Sequence, residues 1–281
     1  MEKKVLNINE NMMQILQKIK QNKKYSTISD EIIKKEIQKY LKSNPSAQTD
    51  KKTVKEIRAN LHRLYSSYQT GKKKKFPEYL MELEKNIREN NDIAPVTEKL
   101  LSMTLSTKER IDHYSYLYKN MFKLTGKPGT IIDLASGLNP LSFPLMGLKK
   151  LKYYAYDIDE QDINFLNQYF QIMKSKGLEG RAAIFDISDT ESVNILPDSD
   201  IVFLFMVIDL LDKKKKNVSE ELIKILSKKT RFIIASFATK TLTRKPMNLP
   251  RRRGFELMLE RNNLQFTAIK TENEIFYIIN K

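Results

Sequence analysis

The sequence predicts an α/β protein: a mostly parallel sheet with helices on both faces, preceded by an all-helical forepart. Three observations carry this expectation. From residue 130 onward, short runs of β-branched and aromatic residues alternate with amphipathic helical stretches, the pattern of successive βα units. The first hundred or so residues show apolar spacing of helical period and no strand pattern. The run from Thr130 to Pro140 (TIIDLASGLNP) reads as a buried strand, a small-residue turn and a helix opening at Pro140, where no N–H is needed.

In chain order, residues 5–21 carry Val5, Ile8, Met12, Ile15, Leu16 and Ile19 at helical spacing. Ser29, Asp30 and Glu31 resemble a helix start, followed by Ile32, Ile33, Ile37 and Leu41, until Asn44 and Pro45 break the chain. Residues 53–68 and 76–91 are two further amphipathic helices, with the basic run Lys72 to Lys75 as a loop between them. A helix over 106–124 is predicted to begin with a capping box, Ser106 with Glu109 three residues on, and to end before Gly126. Strands follow at 130–134, 153–157, 182–186, 200–206 and 231–237, with helices at 160–175, 217–228 and 253–262. Residues 265–269 and 275–279 close the chain as a hairpin pair. The expected division is a helical domain over 1–105 and a sheet domain over 106–281.

Composition narrows the class. The chain has no cysteine, which excludes disulfides and thiolate chemistry. It shows neither an apolar run long enough to span a bilayer nor an apolar leader, so no membrane role and a cytoplasmic location are expected. The formal charge is +16, of which residues 1–125 hold +11 and residues 126–281 hold +5. A polyanion is the natural partner of such a forepart. The two histidines, His62 and His113, read as helix-face residues, and no metal-ligand cluster is apparent.

In an open parallel sheet, ligands sit beyond the carboxyl ends of the strands. Asp157 ends the second strand, placed to accept both hydroxyls of a ribose. Asp186 and Ile187 end the third, where a carboxylate and the next N–H suit the edge of adenine, and Leu204 and Met206 end the fourth, where they could line the adenine slot. There is no Gly-x-Gly-x-x-Gly and no phosphate-cradling lysine after the turn, which argues against nucleotide phosphates. S-adenosylmethionine fits: an adenosine without phosphates, carrying an amino-acid tail whose carboxylate Arg110 could grip in a bidentate pair.

These residues carry a resemblance. The Ile131–Leu141 loop, the Ser106-Thr107-x-Glu109-Arg110 element, the spacing of Val54, Ile57, Leu61, His62, Leu64 and Tyr65, and the stretch from Ser236 to Leu242 resemble the aminoglycoside-resistance methyltransferases of 16S ribosomal RNA. The resemblance covers roughly residues 25–265. It implies a Rossmann-like class I methyltransferase sheet, S-adenosylmethionine as cofactor, and methylation of guanine N7 in the decoding site of the small ribosomal subunit. It implies that Arg110 holds the cofactor carboxylate and that Thr104, Leu105 and Ser106 lie along the methionine tail. Ala135 and Gly137 would give backbone contacts, Asp157 would hold the ribose, Asp186 and Ile187 would read adenine, and Leu204 would pack on the ring. Tyr68 and Lys213 extend the same set. RNA contacts are expected from Lys240, Arg244, Lys245, Arg251, Arg252 and Arg253, a segment without an acid of its own. The sequence departs from the family with Ser136 for the usual cysteine, Thr104 for histidine and Lys213 for glutamine, and with a basic rather than glycine-rich stretch after Leu242.

Guanine N7 carries an in-plane lone pair and no proton, so no general base is required, and the base must leave its stack to reach the site. Tyr114 and Phe237 are candidates to stack on it, with core packing as the plainer role for both. A monomer without a metal is expected. Two alternatives remain open: methylation of another RNA base, and a catalytically inactive RNA-binding assembly factor.

Overall fold

The computed structural model describes residues 2–45, 47, 49–65, 75–214, 217–240 and 251–281, with side chains excepted at 2–9, 63–65, 213 and 214. The chain divides into two compact units, Met1–Gln69 with Ile158–Gln161, and Thr70–Asp157 with Asp162–Lys281.

In the first unit, α1 (Glu2–Lys20), α2 (Asp30–Ser43) and α3 (Lys51–Tyr65) follow the predicted periodicities. Their apolar stripes meet: Ile15, Ile19, Ile33, Ile37, Ile57 and Leu61 are fully buried. Residues 158–161 belong to this unit through backbone bonds from Ser29 N–H to the Ile158 carbonyl (2.9 Å) and from Glu160 N–H to the Thr27 carbonyl (2.8 Å).

The second unit opens with α4 (Phe76–Arg88) and α5 (Ala94–Leu101), then a single turn α6 (Leu105–Lys108) and α7 (Tyr114–Thr125). The expected boundary at 105 and the contact boundary near 69 differ by α4 and α5. Phe76, Leu80, Leu83, Val96 and Leu100 are built into the core of the sheet unit. The α5 helix escaped prediction because it is short and begins beside Pro95.

The sheet contains β1 (Thr130–Leu134), β2 (Leu151–Asp157), β3 (Leu178–Ile184), β4 (Ser199–Phe205), β5 (Thr230–Ala238), β6 (Gln265–Lys270) and β7 (Glu274–Asn280). Its order is β3-β2-β1-β4-β5-β7-β6. The first five pair in parallel, and β7 and β6 are antiparallel, as the closing hairpin pair predicted. The period of two divides each central strand between two cores. Ile201, Phe203 and Phe205 of β4 face the core shared with α4, α5, α7 and α8 (Glu160–Met173). Val202 and Leu204 face the core shared with α9 (Ile208–Lys214), α10 (Val218–Lys229) and α11 (Arg253–Arg261).

Two predicted helices take another form. The segment behind Pro140 is a 3-10 helix, Asn139–Leu145, because Pro144 inside it has no N–H for an α-helical ladder. The helix predicted over 106–124 is interrupted by the 3-10 turn Ile111–His113 before α7 begins. Thr104, not Ser106, occupies the N-cap position of its first turn, its side chain makes no capping bond, and no capping box forms. The Thr104 hydroxyl lies 2.7 Å from that of Thr107, which itself donates to the Leu101 carbonyl.

Candidate functional site

The strand order reverses between β1 and β4, and the crevice beyond their carboxyl ends is where such sheets hold ligands. Its floor is the turn after β1. Ala135 and Gly137 both adopt positive φ, +57° and +47°. This folds the chain back sharply, and at Gly137 a side chain would enter open space, so the bare backbone is presented there. The turn is tied to β2: Ser136 N–H donates to the Tyr156 carbonyl at 3.0 Å and Gly137 N–H to Asp157 Oδ2 at 2.8 Å. Asp157 is thereby held at the strand tip beside the turn.

Beneath the turn lies a buried polar cluster. Asp133, 1% exposed, accepts from Tyr153 Oη at 2.6 Å and from Asn139 Nδ2 at 2.8 Å, both on Oδ2. The Tyr114 hydroxyl donates to Asn139 Oδ1 at 3.0 Å. Asp133 Oδ1 is buried with no hydrogen-bond partner. Burial raises the Asp133 carboxyl from 3.8 to about 7 against the two hydrogen bonds and the nearby Arg110, while Asp157 adds to the rise. Asp133 therefore senses both Arg110 and Asp157, which act on it in opposite directions.

Arg110 is buried and paired with a residue that sequence reasoning missed. Its Nε and Nη2 donate to Glu274 at 2.6 and 2.8 Å. Burial works against its charge, yet the Glu274 carboxylate holds the guanidinium protonated above its ordinary range. The Phe205 ring lies 5.1 Å from the guanidinium carbon. Because β7 runs antiparallel, its first residue, Glu274, pairs with Ala238 and lands at the same sheet edge as the ends of β1, β2 and β4. The one sequence signal for it was a lone acid opening the apolar run Ile275 to Ile279.

The remaining expected residues divide. Thr104 is buried, and Leu105 and Ser106 are half-buried in the α6 turn leading to Arg110. Asp186 lies two residues beyond β3, not at its end, and its Oδ1 accepts from Ser188 N–H at 2.9 Å in a tight turn. Ile187 is packed into the core beside α10. The expectation that Leu204 packs on an adenine ring is corrected: it is fully buried and its even position in β4 turns it into that same core. Met206, expected beside it, follows the strand end half-buried, at a φ of +60°. Tyr114 and Phe237 are buried and neither offers a stacking face. Tyr68, Arg244, Lys245, the loop residues Lys72 to Lys74 and the side chain of Lys213 lie outside the described residues.

The basic segment is not acid-free in three dimensions. Lys240 Nζ lies 2.6 Å from Glu272, and Arg251 forks onto Glu256 at 2.9 and 2.7 Å. Arg252 reaches Asp209 at 3.0 Å and covers the Phe237 ring, and Arg253 reaches Glu260 at 3.0 Å. The Arg251 contact holds the Glu256 carboxyl below its ordinary range.

An open backbone turn, a carboxylate at a strand tip, a buried carboxylate oxygen without a hydrogen-bond partner and a buried guanidinium paired with one carboxylate suit a phosphate-free nucleoside with a zwitterionic tail. Comparison with known proteins agrees. The family model for ribosomal RNA methyltransferase (FmrO) matches residues 21–278. The chain is 24% identical over 273 residues to the 16S rRNA (guanine(1405)-N(7))-methyltransferase of Micromonospora rosea, covering 95% of this chain and 96% of that protein. It is 26% identical over 286 residues to the protein of that name from Proteus mirabilis, with the same coverages of 95% and 96%. In fold it is similar to the 16S rRNA methyltransferase RmtF in complex with S-adenosyl-L-homocysteine, with a TM-score of 0.76, 19% identity and coverage of 97% of this chain and 98% of that one. It is similar also to the 16S rRNA methylase RmtB, with a TM-score of 0.71, 21% identity and coverage of 96% and 98%. Matched by the family model along nearly its whole length, the chain belongs to the ribosomal RNA methyltransferase (FmrO) family.

Proposed function

We propose that this protein is an S-adenosylmethionine-dependent methyltransferase acting on N7 of the decoding-site guanine of 16S RNA within the small ribosomal subunit, as a cytoplasmic monomer without a metal. The observation that carries the reading is the Gly137 N–H to Asp157 bond of 2.8 Å, which fixes a bare backbone turn beside a carboxylate at the switch point of the sheet. When bound, the cofactor supplies an electrophilic methyl on a sulfonium. The chain's own residues have positioning work. Asp157 accepts the ribose hydroxyls, the turn at Ala135 and Gly137 admits the tail, Asp133 Oδ1 accepts from its ammonium, and Arg110 pairs with its carboxylate. Asp186 and Ile187 serve the adenine edge.

The bound cofactor would supply a methyl group to N7, with the carbon–sulfur bond giving way to the new carbon–nitrogen bond, so that the products would be a neutral thioether and a cationic 7-methylguanine. N7 uses its lone pair, so no proton moves in this step and no residue need act as base. The relatives named for guanine-1405 N7 methylation, matched over 95% of this chain, support the choice of nucleotide. The helical unit and the segment around 240–253 would bind RNA phosphates.

The test is methylation of purified 30S subunits with labelled cofactor, followed by chemical cleavage at 7-methylguanine to map the base. Cleavage at one decoding-site guanine, abolished by Asp157→Ala, is the expected result. Label on an adenine would replace the target assignment, and no label together with no calorimetric binding of S-adenosylmethionine would leave an RNA-binding assembly factor.

A further inference from the structure

We propose that Glu274 is a positioning residue for the cofactor: by holding one edge of the Arg110 guanidinium it presents the other edge to the carboxylate of the amino-acid tail. This rests on the S-adenosylmethionine reading of the site and deepens it.

A guanidinium has two planar edges that fit a carboxylate, a side-on edge made of Nε and one Nη, and an end-on edge made of both Nη atoms. In this chain the side-on edge is taken, with Nε at 2.6 Å and Nη2 at 2.8 Å from the two oxygens of Glu274. The guanidinium meets no second carboxylate of the protein among the described residues; its other neighbour is the neutral Tyr114 hydroxyl, which leaves its charge to be matched by a ligand carboxylate. Both side chains are 7% exposed, so the pair is held in a medium that screens it weakly.

Glu274 is itself fixed. The Ser236 hydroxyl donates to its Oε1, and the same Ser236 oxygen accepts from the Met206 N–H at 3.0 Å. Met206 is the residue of positive φ that immediately follows β4. The Phe205 ring lies against the guanidinium face. One edge and one face of Arg110 are therefore held before any ligand arrives, and the rotamer entropy of a long side chain is already lost. This pairing also explains how an arginine can be kept buried in the free protein, since an uncompensated buried charge is strongly destabilising. Stability alone is a poor reason for the pair, because apolar replacements of buried ion pairs are often neutral or better. Its place at the carboxyl edge of the sheet, joined through Ser236 to the end of β4, gives it a use in binding.

The test compares two ligands. S-adenosylhomocysteine has the amino-acid tail; 5′-methylthioadenosine keeps the nucleoside and sulfur but lacks it. Full-length Arg110→Ala, Glu274→Gln and Ser236→Ala proteins are titrated calorimetrically with each. Arg110→Ala should lose affinity for S-adenosylhomocysteine alone; if it does not, the carboxylate role of Arg110 fails, separately from the role of Glu274. Given that loss, Glu274→Gln should weaken S-adenosylhomocysteine by about tenfold while leaving methylthioadenosine within about twofold. Ser236→Ala, which keeps the ion pair and carries the same test should Glu274→Gln not fold, should shift in the same direction by about threefold. A variant that binds S-adenosylhomocysteine like the parent, or that loses both ligands equally, overturns the positioning role.

Discussion

Asp133 shows how one residue couples stability to the site. Its Oδ2 is satisfied twice over and its Oδ1 not at all, so ionisation in the free protein places a charge on a buried carboxylate with one oxygen left without a hydrogen bond. The carboxyl titrates at about 7 in the fold against 3.8 in an ordinary environment. Between these values the folded chain keeps a proton that the unfolded chain has lost. The contribution of Asp133 to stability is therefore fully present below about pH 4, falls as pH rises through the window and levels off above about 7, by at most on the order of 4 kcal/mol. Asp133→Asn removes the titration while its amide oxygen still accepts from Tyr153 and Asn139. Chemical denaturation at pH 5 and pH 8 should show a smaller loss of stability on raising pH in the Asn variant than in the parent. An identical loss in both would assign the pH dependence elsewhere. In sequence, Asp133 stood out only as part of the strand–turn signal. Its unpartnered oxygen depends on Tyr153 and Asn139 crowding one side, which no spacing rule encodes.

At the scale of elements, the central strands were legible because β1, β4 and β5 are continuous β-branched and aromatic runs. The edge strand β3 was misplaced by several residues: it begins at Leu178, with Glu179, Gly180 and Arg181 alternating along an exposed edge, and it ends before Asp186. The Arg110–Glu274 pair was illegible for another reason. It joins residues 164 apart through the antiparallel register of β7, which sequence pattern does not fix. The β2–β3 edge offers a test of element packing. Gly177, at φ +89°, precedes β3, and its carbonyl accepts from Leu151 N–H at the start of β2. A Cβ there would lie 2.0 Å from the Lys149 carbonyl oxygen. Gly177→Ala must displace backbone as well as strain φ, and should cost about 3 kcal/mol in a denaturation midpoint measurement. Gly254→Ala is the contrasting variant: α11 places that position in open space without positive φ, and helix propensity alone predicts a gain of up to about 1 kcal/mol. Equal effects at the two glycines would mean that neither the close approach nor the backbone angle sets the cost.

For the whole molecule the controlling quantity is where its +16 charge remains available to RNA phosphates. The sequence reading puts most of the excess in the first 125 residues and expects further contacts from the segment 240–253, which holds no acid. Folding brings Glu272, Glu256, Asp209 and Glu260 against Lys240, Arg251, Arg252 and Arg253. A phosphate contact made by any of these must compete with a carboxylate already in place, so its gain in released counterions is smaller. The helical unit presents Lys23, Lys51, Lys52 and Lys55 as exposed side chains, within the part of the chain that holds +11. Binding to 30S subunits should therefore weaken steeply with salt, and Lys51→Gln with Lys52→Gln should lower the slope of log K against log salt by about 1 for each phosphate contact removed. Arg251→Gln should lower it by less than one such unit, because its fork is neutralised by Glu256 in the free protein. Filter-binding or sedimentation measurements between roughly 50 and 200 mM salt resolve differences of that size. If the lysine variants leave the slope untouched while Arg251→Gln reduces it by a full unit, the docking surface lies at the 240–253 segment and the paired carboxylates are displaced when RNA binds.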